Sequence, residues 1–425
     1  MVSRVTKVGA IVAAALVVGG LGACSADTGS DDSGPKTITW SFWDQGEAGN
    51  KVWKARAAAV TEENPDITVE LTTSPFADYF TKLQSQLAAG TEACIVSMQS
   101  LRLPAFASAL EPLDDLLAEQ GFDESEWNEG ALSALQFEGE QYAVPYGLST
   151  MLLYYNKDAF AAAGVEEPTS AWTIEDFEAA AEKITAATGK PAFGQSFSDL
   201  HMFAMLLADN GAKPVTAEGE LDLTSDEMKE AFDWYSGLAT EQGVASVPAS
   251  ASDIPWGEQQ FVAGNVAMAV DGSWNLASNA ADAGFPVGVV ALPQGPNGGG
   301  TYSANSGFGI SKSCENKAAA AEAIVAITGA DAAEESAKGG TAPARLGSED
   351  TFYQGLADSI DAKNPGYSQQ ARDAVEASSE MATPFISTDN WDQVTKQIAR
   401  QFILAYTGSE DPEQVLEAVQ SAAAK

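Results

Sequence analysis

The chain carries few residues with the type and spacing needed to break bonds. Among its 60 acidic residues, Asp44 and Asp271 could act as the paired carboxylates of a glycoside hydrolase, although neither lies in a recognisable catalytic motif. His201 is the only histidine, and the carboxylates of the chain do not show the ligand spacing of a zinc site. The sequence therefore predicts no catalytic residue, no metal and no cofactor.

Aromatic rings beside polar side chains favour a different chemistry, which is noncovalent recognition. Trp274 follows a short apolar stretch and a glycine, an arrangement that presents an indole from the rigid end of a strand. Such a ring can stack on the C–H face of a pyranose while the sugar hydroxyls stay free for hydrogen bonds. Trp256, earlier in the same segment, is a second candidate, and Asp271 between them is a candidate polar contact to the ligand.

The elements that position these residues begin with an alternation of strands and helices. Residues 37–42, 67–71 and 95–96 have strand character, and residues 51–64 and 76–89 between them have helical spacing. This order predicts a parallel sheet with right-handed crossovers, and ligands bind beyond the carboxyl ends of the strands of such sheets. The rule selects five residues after the first and third strands: Trp43, Asp44, Gln99, Ser100 and Arg102.

A polar break interrupts the buried stretch over residues 142–160. Pro145 favours an extended backbone before the break, and residues 151–155 form an apolar core strand after it. Asn156 is a good N-cap for the short helix that follows, and Gly164 is a good residue to end it. Two residues of the break are candidates for ligand contact, Tyr146 and Ser149.

Several short motifs are similar to those of a known family. They are Tyr-x-Val-Pro at 142–145, Leu-x-Tyr-Asn-Lys-Asp at 153–158, Pro-x-x-x-Trp at 168–172, Phe-x-x-Gly-x-x-Ala-Met at 261–268 and Gly-x-Trp at 272–274. Together they resemble the solute-binding proteins of ABC transporters of the maltose-binding type (family 1). The resemblance covers nearly the whole mature chain.

The resemblance implies an α/β fold of the two-lobed, periplasmic-binding-protein-like type II class. Each lobe would be a mainly parallel sheet flanked by helices, and three hinge crossings would let the lobes close around a ligand. On this basis the N-terminal lobe comprises residues 36–148 and 289–312. The C-terminal lobe comprises residues 149–288 and 313–425.

The family pattern also implies ligand contacts that spacing alone does not select. His201 falls where the family commonly has a sugar-contacting aromatic residue. Asn305 and Gly307 lie in a segment whose start contacts ligand in the family, and a glycine there lets the backbone approach a sugar closely. Arg345 ends a Pro-x-Arg motif, and Trp391 lies where a further stacking ring is expected.

The amino end resembles a lipoprotein leader. Two basic residues precede an uncharged apolar run over residues 8–21, which is too short to span a bilayer. Leu21-Gly22-Ala23-Cys24 resembles a lipobox, so residues 1–23 are predicted to be a signal peptide and Cys24 the lipidated first residue. Residues 24–35 would form a flexible tether. An ordinary signal peptide cleaved nearby is the alternative.

Charge and cysteine content narrow the partners. The formal net charge is −38, which argues against nucleic acid and anionic membrane surfaces as partners. Cys94 and Cys314 remain beside Cys24, and two cysteines outside the cytoplasm often pair. The sequence leaves this disulfide open.

The resemblance predicts an extracytoplasmic receptor, anchored to the cell membrane through Cys24. It would bind a carbohydrate, expected to be an oligosaccharide, between the lobes and deliver it to the permease subunits of an ABC importer. The protein is expected to be a monomer without catalytic activity. Two alternatives stay open, a secreted glycoside hydrolase and a binding protein for a peptide or polyamine.

Overall fold

The computed structural model describes residues 34–250 and 256–423. The predicted signal peptide, the lipidated Cys24 and nearly all of the predicted tether lie outside these residues. Among the helices within them, none is long and apolar enough to cross a bilayer.

Strands are distributed over the described chain up to residue 384. Their bounds are β1 Lys36–Trp43, β2 Ile67–Ser74, β3 Ile95–Gln99, β4 Gln136–Phe137, β5 Glu140–Gln141, β6 Val144–Gly147, β7 Met151–Asn156, β8 Phe193–Gly194, β9 Ala245–Ser246, β10 Met268–Gly272, β11 Val287–Ala291, β12 Thr301–Ser303, β13 Ser306–Ile310 and β14 Ala382–Pro384.

Helices fill the connections between the strands and the carboxyl-terminal region. Their bounds are α1 Gly46–Glu63, α2 Phe76–Ala89, α3 Leu103–Phe106, α4 Asp114–Glu119, α5 Glu129–Ser133, α6 Lys157–Ala163, α7 Ile174–Thr188, α8 Asp199–Asn210, α9 Asp226–Thr240, α10 Trp256–Val262, α11 Leu276–Asp282, α12 Lys317–Ile327, α13 Ala330–Lys338, α14 Glu349–Leu356, α15 Tyr367–Glu380, α16 Trp391–Tyr406 and α17 Pro412–Ala423.

The first lobe is built on a five-stranded sheet with the order β2-β1-β3-β13-β6. Its parallel part is β2, β1 and β3, whereas β13 runs antiparallel to both β3 and β6. Ile38, Trp40 and Phe42 alternate along β1 with side chains that have no solvent exposure. They share one apolar core with α1, α2 and α12, which is why the period-two pattern of this segment forms a strand.

The second lobe is built on a sheet with the order β11-β7-β10-β8-β9. The strand β7 is buried on both faces: Leu153 and Tyr155 belong to the core that contains α8, and Leu152 and Tyr154 belong to the core that contains α15. A strand covered on both faces carries a continuous apolar sequence, which explains the unbroken run at residues 151–155.

The two-lobed α/β class is therefore confirmed, and both sheets are mixed in direction. In the second sheet, β7 runs antiparallel to β10 and β11, and the other two pairings are parallel. The expectation of mainly parallel sheets holds for three neighbouring strands of each sheet.

The lobe boundaries stay a prediction, but two elements pack differently from it. The strand β11 pairs with β7, so residues 289–291 extend the second sheet and the chain re-enters the first sheet only at β13. The helix α12 packs in the core of the first lobe, although residues 313–425 were expected in the second. A buried edge strand and a crossing segment are both short apolar runs, which is why the sequence did not separate them.

Local sequence signals placed the helix ends well. The side chain of Asn156 accepts a hydrogen bond from the backbone N–H of Ala159 at 3.1 Å, and Gly164 ends α6 with a positive φ of 64°. Thr173 and Asp176, a residue pair typical of a capping box, form one at the start of α7. These signals succeed because they act within a few residues of the chain.

A disulfide joins Cys94 to Cys314, with 4.7 Å between their Cα atoms. Cys94 directly precedes β3, and Cys314 follows β13, which pairs with β3. The bond therefore fastens together two neighbouring strands of the first sheet that are distant in sequence.

Candidate ligand-binding cleft

The first crossing between the lobes, residues 148–150, brings the ends of the two sheets together. Gly147 ends β6 on one side of it, and Met151 starts β7 on the other. The backbone N–H of Ser273 donates to the carbonyl of Thr150 at 2.9 Å, and the N–H of Thr150 donates to the hydroxyl of Ser273 at 3.2 Å. The carboxyl end of β10 is thereby fixed to the crossing, with Trp274 as the next residue.

The carboxyl edge of the first sheet meets the same crossing through Asn305. The backbone N–H of Ser100, just after β3, donates to the Asn305 carbonyl at 2.8 Å, and the N–H of Ser149 donates to its side-chain oxygen at 3.1 Å. The carboxyl edges of both sheets therefore flank one segment. We call the space between them the cleft.

Trp274 is the most exposed tryptophan ring at this junction, with 40% of its surface accessible. It lies on the three-residue turn Ser273–Asn275. A Cβ added to Gly272 would come within 2.2 Å of the indole, so the ring lies directly on this glycine. The ring of His201 approaches at 6.1 Å between centroids, in an edge-to-face arrangement. Gly272 and His201 thus contact the indole, while 40% of the Trp274 surface remains accessible to solvent.

His201 lies between two carboxylates beneath that ring. Its Nε2 lies 2.9 Å from Glu258 Oε1 and 3.3 Å from Asp271 Oδ1, and all three residues are nearly or fully buried. Burial by itself lowers the pKa of His201, but the charges of Glu258 and Asp271 and their hydrogen bonds outweigh it and raise the pKa to about 10. The imidazole is therefore positively charged at neutral pH. We call these three residues the buried triad.

Asp271 also organises the turn that carries Trp274. Its oxygens accept hydrogen bonds from the backbone N–H of Gly272 at 2.7 Å, from the amide of Asn275 at 3.0 and 3.1 Å and from the amide of Asn279 at 2.7 Å. Both oxygens are therefore engaged by groups of the chain itself. This arrangement leaves Asp271 unsuited to the role of a hydrolytic carboxylate or a direct ligand contact, and makes it a support for the turn.

The triad groups a histidine nitrogen and two carboxylate oxygens within 4.8 Å of one another, a set that could hold a metal ion. Sequence spacing gave no sign of it, because the three residues come from α8, α10 and β10. A histidine that binds metal almost always donates its second ring N–H to a partner, whereas His201 Nδ1 has none within the described residues. The geometry fits a protonated histidine between two acids better than a metal ligand set.

The predicted polar contacts of the first lobe are mostly tied to neighbours. Asp44 is exposed, and its Oδ1 accepts hydrogen bonds from the N–H of Gly46 at 2.7 Å and from the Asn50 amide at 3.0 Å. The Arg102 Nε donates to the side-chain oxygen of Gln99 at 3.3 Å. Such contacts hold these groups at the sheet edge.

Both predicted arginines form ion pairs. Arg102 pairs with Asp392 and lies 4.5 Å from the centroid of the Phe80 ring. Arg345 pairs with Glu126 and packs over an aromatic ring of the first lobe. The charge of each guanidinium is therefore paired within the protein.

The pair between Arg102 and Asp392 also connects the lobes. Arg102 belongs to the turn after β3, and Asp392 belongs to the start of α16, which packs in the second lobe. In the same place the hydroxyl of Ser387 donates to the carbonyl of Leu101. The two contacts bridge the lobes beside a cavity of about 210 Å³.

Four residues predicted to contact ligand pack against neighbouring groups of the chain. Trp43 is 5% exposed and Trp391 is 2% exposed, and the latter donates its indole N–H to Asp199 at 2.7 Å. Tyr146 stacks on Phe308 at 4.9 Å within the aromatic core of the first lobe. A Cβ on Gly307 would meet the carbonyl of Val144 at 2.6 Å, so this glycine serves strand packing instead of access for a sugar. Sequence reasoning could not distinguish rings that point inward from rings that face the cleft.

Two residues at the cleft were missed. Phe76 follows β2, is 46% exposed and meets Trp43 edge to face at 5.8 Å. Because β2 is parallel to β1, the rule of carboxyl ends could have found it. Glu258 had no such signal, since it precedes the Phe-x-x-Gly motif on a short helix. Trp256 is half-buried at the start of the same helix.

Two buried hydroxyls near the crossing have no hydrogen-bond partner among the described residues. They are the side-chain hydroxyls of Ser100 and Thr150. A larger groove, of about 520 Å³, lies between α1 and β2, but no aromatic residue lines it. The cleft is therefore the better candidate for specific recognition.

Comparison with known proteins settles the family. The model of the family "bacterial extracellular solute-binding protein" matches residues 43–334, more than half of the chain. The chain belongs to this family. The family assignment predicted from the sequence motifs is thus confirmed, and membership places the protein outside the cytoplasm. Members are binding components of ABC transporters and not enzymes.

Relatives agree with the membership. A putative binding protein of Brucella abortus is 27% identical over 61% of this chain, and the match covers 64% of that protein, just under two thirds of its length. The maltodextrin-binding protein of Bacillus subtilis is 25% identical over 68% of each chain. The arabinooligosaccharide-binding protein of Bacillus subtilis is 23% identical over 55% of this chain and 53% of its own.

A solved structure of the family has the same fold. The ABC substrate-binding protein from Listeria monocytogenes, in complex with cycloalternan, superposes with a TM-score of 0.78 and is 28% identical, covering 91% of this chain and 97% of that one. The cyclic α-maltosyl-1,6-maltose binding protein from Arthrobacter globiformis has a TM-score of 0.73 at 23% identity, over 92% of this chain and 98% of its own.

Proposed function

We propose that this solute-binding protein captures an oligosaccharide in the cleft and delivers it to the permease of an ABC importer. The observation that carries the proposal is the position of Trp274: its indole is 40% exposed, lies on Gly272 and follows Ser273, which is hydrogen-bonded to the first crossing. A flat, rigid ring of this kind suits the C–H face of a pyranose.

Other features of the cleft support a hydroxylated ligand. Phe76 offers a second exposed ring from the opposite lobe, and the hydroxyls of Ser100 and Thr150 have no partner in the described part of the chain. Sugar hydroxyls both donate and accept hydrogen bonds, so they can satisfy such groups. Relatives named for arabinooligosaccharide and maltodextrin binding, and the Listeria monocytogenes complex with cycloalternan, support the same class of ligand.

Thermal shift and titration calorimetry test the binding function. The mature chain would be screened with maltotriose, mannotriose, arabinotriose and cycloalternan, together with a tripeptide and spermidine. A saccharide that raises the melting temperature and binds with 1:1 stoichiometry supports the proposal, because a ligand that binds only the folded state stabilises it. Binding of spermidine or the peptide alone would contradict it. Chromogenic glycosides provide the enzymatic control, and turnover at ordinary enzyme rates would also contradict it.

Membrane attachment through Cys24 is part of the same proposal. The Leu-Gly-Ala-Cys sequence at residues 21–24 supports it, since a lipidated protein outside the membrane could remain beside the permease. Replacement of Cys24 by serine should prevent labelling with a palmitate analogue and move the protein from the membrane fraction to the medium. Retention of the Cys24→Ser variant in the membrane would rule out this anchor. Light scattering of the mature chain tests the expected monomer.

A further inference from the structure

Glu258 contributes an unsatisfied carboxylate oxygen to the buried triad. Its Oε1 accepts a hydrogen bond from His201 Nε2 at 2.9 Å, whereas its Oε2 is buried and has no partner within the described residues. The residue as a whole is only 9% exposed. A buried ionised oxygen without a partner is costly, so an oxygen in this state fits a site that another molecule completes.

The position of Glu258 connects this oxygen to the Trp274 ring. His201 contacts both: its ring nitrogen bonds to Glu258, and its ring lies 6.1 Å from the indole. His201 Nδ1 is also buried without a partner among the described groups. An acceptor and a ring nitrogen without partners in the described chain therefore belong to the histidine that contacts the Trp274 ring and to the acid bonded to that histidine.

The triad combines two acidic side chains with one basic side chain. One imidazolium stands against two carboxylates, and Asp271 already accepts hydrogen bonds from three groups besides His201. The two arginines expected near the ligand do not offset this charge, because Arg102 is paired with Asp392 and Arg345 with Glu126. A ligand stacked on Trp274 would therefore lie close to an uncompensated negative charge in a poorly hydrated region.

We infer that Glu258 is a specificity-determining residue, whose free oxygen accepts a hydrogen bond from the ligand and whose charge selects neutral or amino saccharides over acidic ones. This inference rests on the proposed oligosaccharide-binding function. It extends that function by naming the charge class of the ligand and the residue that discriminates between ligands by their charge. Sugar hydroxyls and protonated amines donate to a carboxylate, whereas a uronate or phosphate group is repelled by it.

Calorimetry with charge-matched saccharides tests the inference on the unaltered mature chain. The neutral probes are maltotriose, mannotriose and N,N′-diacetylchitobiose, the amino probe is chitobiose, and the acidic probes are digalacturonate and glucose 1-phosphate. We expect the best neutral or amino probe to bind at least about tenfold more tightly than either acidic probe. A preference for digalacturonate or glucose 1-phosphate would overturn the inference.

The variant Glu258→Gln removes the charge and keeps the shape of the side chain. It should weaken binding of the best neutral or amino probe by about 10- to 100-fold, the loss expected for a hydrogen bond to a charged group, and should narrow the ratio between neutral and acidic probes. Glu182→Gln is the matched control, because Glu182 is an exposed acid on α7 in the same lobe. Equal binding by wild type and Glu258→Gln would refute the role of Glu258.

The single histidine gives a readout that does not depend on the variant folding well. In protein labelled with ¹⁵N-histidine and freed of any histidine tag, all imidazole signals come from His201. Saturation with the best-binding probe should shift these signals, since the probe would contact the layer that contains Glu258 and His201. Unchanged imidazole signals in a saturated sample would place the ligand away from this layer and overturn the inference.

The two proposals fail in different ways. If no saccharide of the panel binds the wild-type chain, the proposed function is wrong and the role of Glu258 falls with it. If a neutral saccharide binds but neither Glu258→Gln nor the imidazole signals respond, the oligosaccharide function stands and only the role of Glu258 is wrong.

Discussion

Asp44 follows β1 of the first sheet and Asp271 lies at the carboxyl end of β10 in the second sheet, yet the two carboxylates have different surroundings. Asp44 is exposed and holds the start of α1 through Gly46 and Asn50. Asp271 is 2% exposed and binds His201 and the turn below Trp274. The comparison teaches that an aspartate at the carboxyl end of a strand can lie on the surface in one lobe and support the site from a buried position in the other.

The largest effect is expected from removing the cation of the second lobe. His201→Ala would leave Glu258 and Asp271 buried without their positive partner, and breaking a buried ion pair in this way costs about 3–5 kcal/mol of unfolding free energy. Urea denaturation of wild type and variant at pH 7 measures the loss. A loss below about 1 kcal/mol would mean that the triad contributes no more than surface groups do.

The pH dependence provides the control for this prediction. The pKa of His201 is raised from an ordinary value near 6.5 to about 10 in the folded protein. Stability that depends on its charge is therefore fully present below pH 6.5, declines above it and is lost as the pH passes 10. The stability difference between wild type and His201→Ala should shrink from pH 7 to pH 10.5. A difference that stays constant would show that packing, and not charge, causes the loss.

The second largest effect concerns the first lobe, which lacks a comparable ion cluster in its described core but has a disulfide. Replacing Cys94 and Cys314 together by serine should lower the unfolding free energy by about 2–4 kcal/mol, because the bond closes a loop with a sequence separation of 220 residues. Saccharide affinity at 20 °C should change little, since the bond lies at the opposite end of β3 from the cleft. Wild type treated with a reducing agent should show the same loss. An unchanged melting temperature in the double variant would contradict this role.

The same comparison shows which features of the fold and the site can be predicted from the sequence. The strands β1 to β3 and the cap at Asn156 depend on local pattern, and the carboxyl-edge rule depends on strand order. The rule placed Asp44 directly after β1, and the pattern of an apolar stretch followed by a glycine placed Trp274 just after β10, where the structure has both. The contact between Glu258 and His201 joins α10 to α8 across the lobe, and no local pattern encodes it.

Side-chain direction was the other limit. Trp391 and Trp274 both stand at the start of helical segments, and both were expected to face a ligand. The ring of Trp391 lies in the core, where its N–H donates to Asp199 on α8. The ring of Trp274 packs on Gly272 and remains partly exposed to solvent. Which neighbour receives a ring depends on packing between helices that are far apart in the chain, so the sequence alone could not decide it.

The third effect compares the exposed rings of the two lobes. Trp274→Ala should weaken saccharide binding by about 2–3 kcal/mol, the loss typical of a buried aromatic anchor, because its indole is the fixed platform. Phe76→Ala should cost less, about 1 kcal/mol, since Phe76 presents a smaller ring. Calorimetry with the best saccharide of the panel measures both. A larger loss for Phe76→Ala would move the main platform to the first lobe.

The smallest effect is expected at the surface member of the pair. Asp44→Asn keeps the oxygen that Gly46 and Asn50 bind, so the unfolding free energy should change by about 0.5 kcal/mol or less. Asp44 Oδ2 accepts no hydrogen bond from the described chain, so a ligand can still bind to it, and saccharide affinity should fall by no more than about tenfold.

Asp271→Asn is the matched change in the second lobe. Its new amide group would oppose the amides of Asn275 and Asn279, and the unfolding free energy should fall by about 3 kcal/mol. If the two variants lose equal stability, burial does not separate the two aspartates; if Asp44→Asn abolishes binding, the first lobe supplies the dominant polar contact.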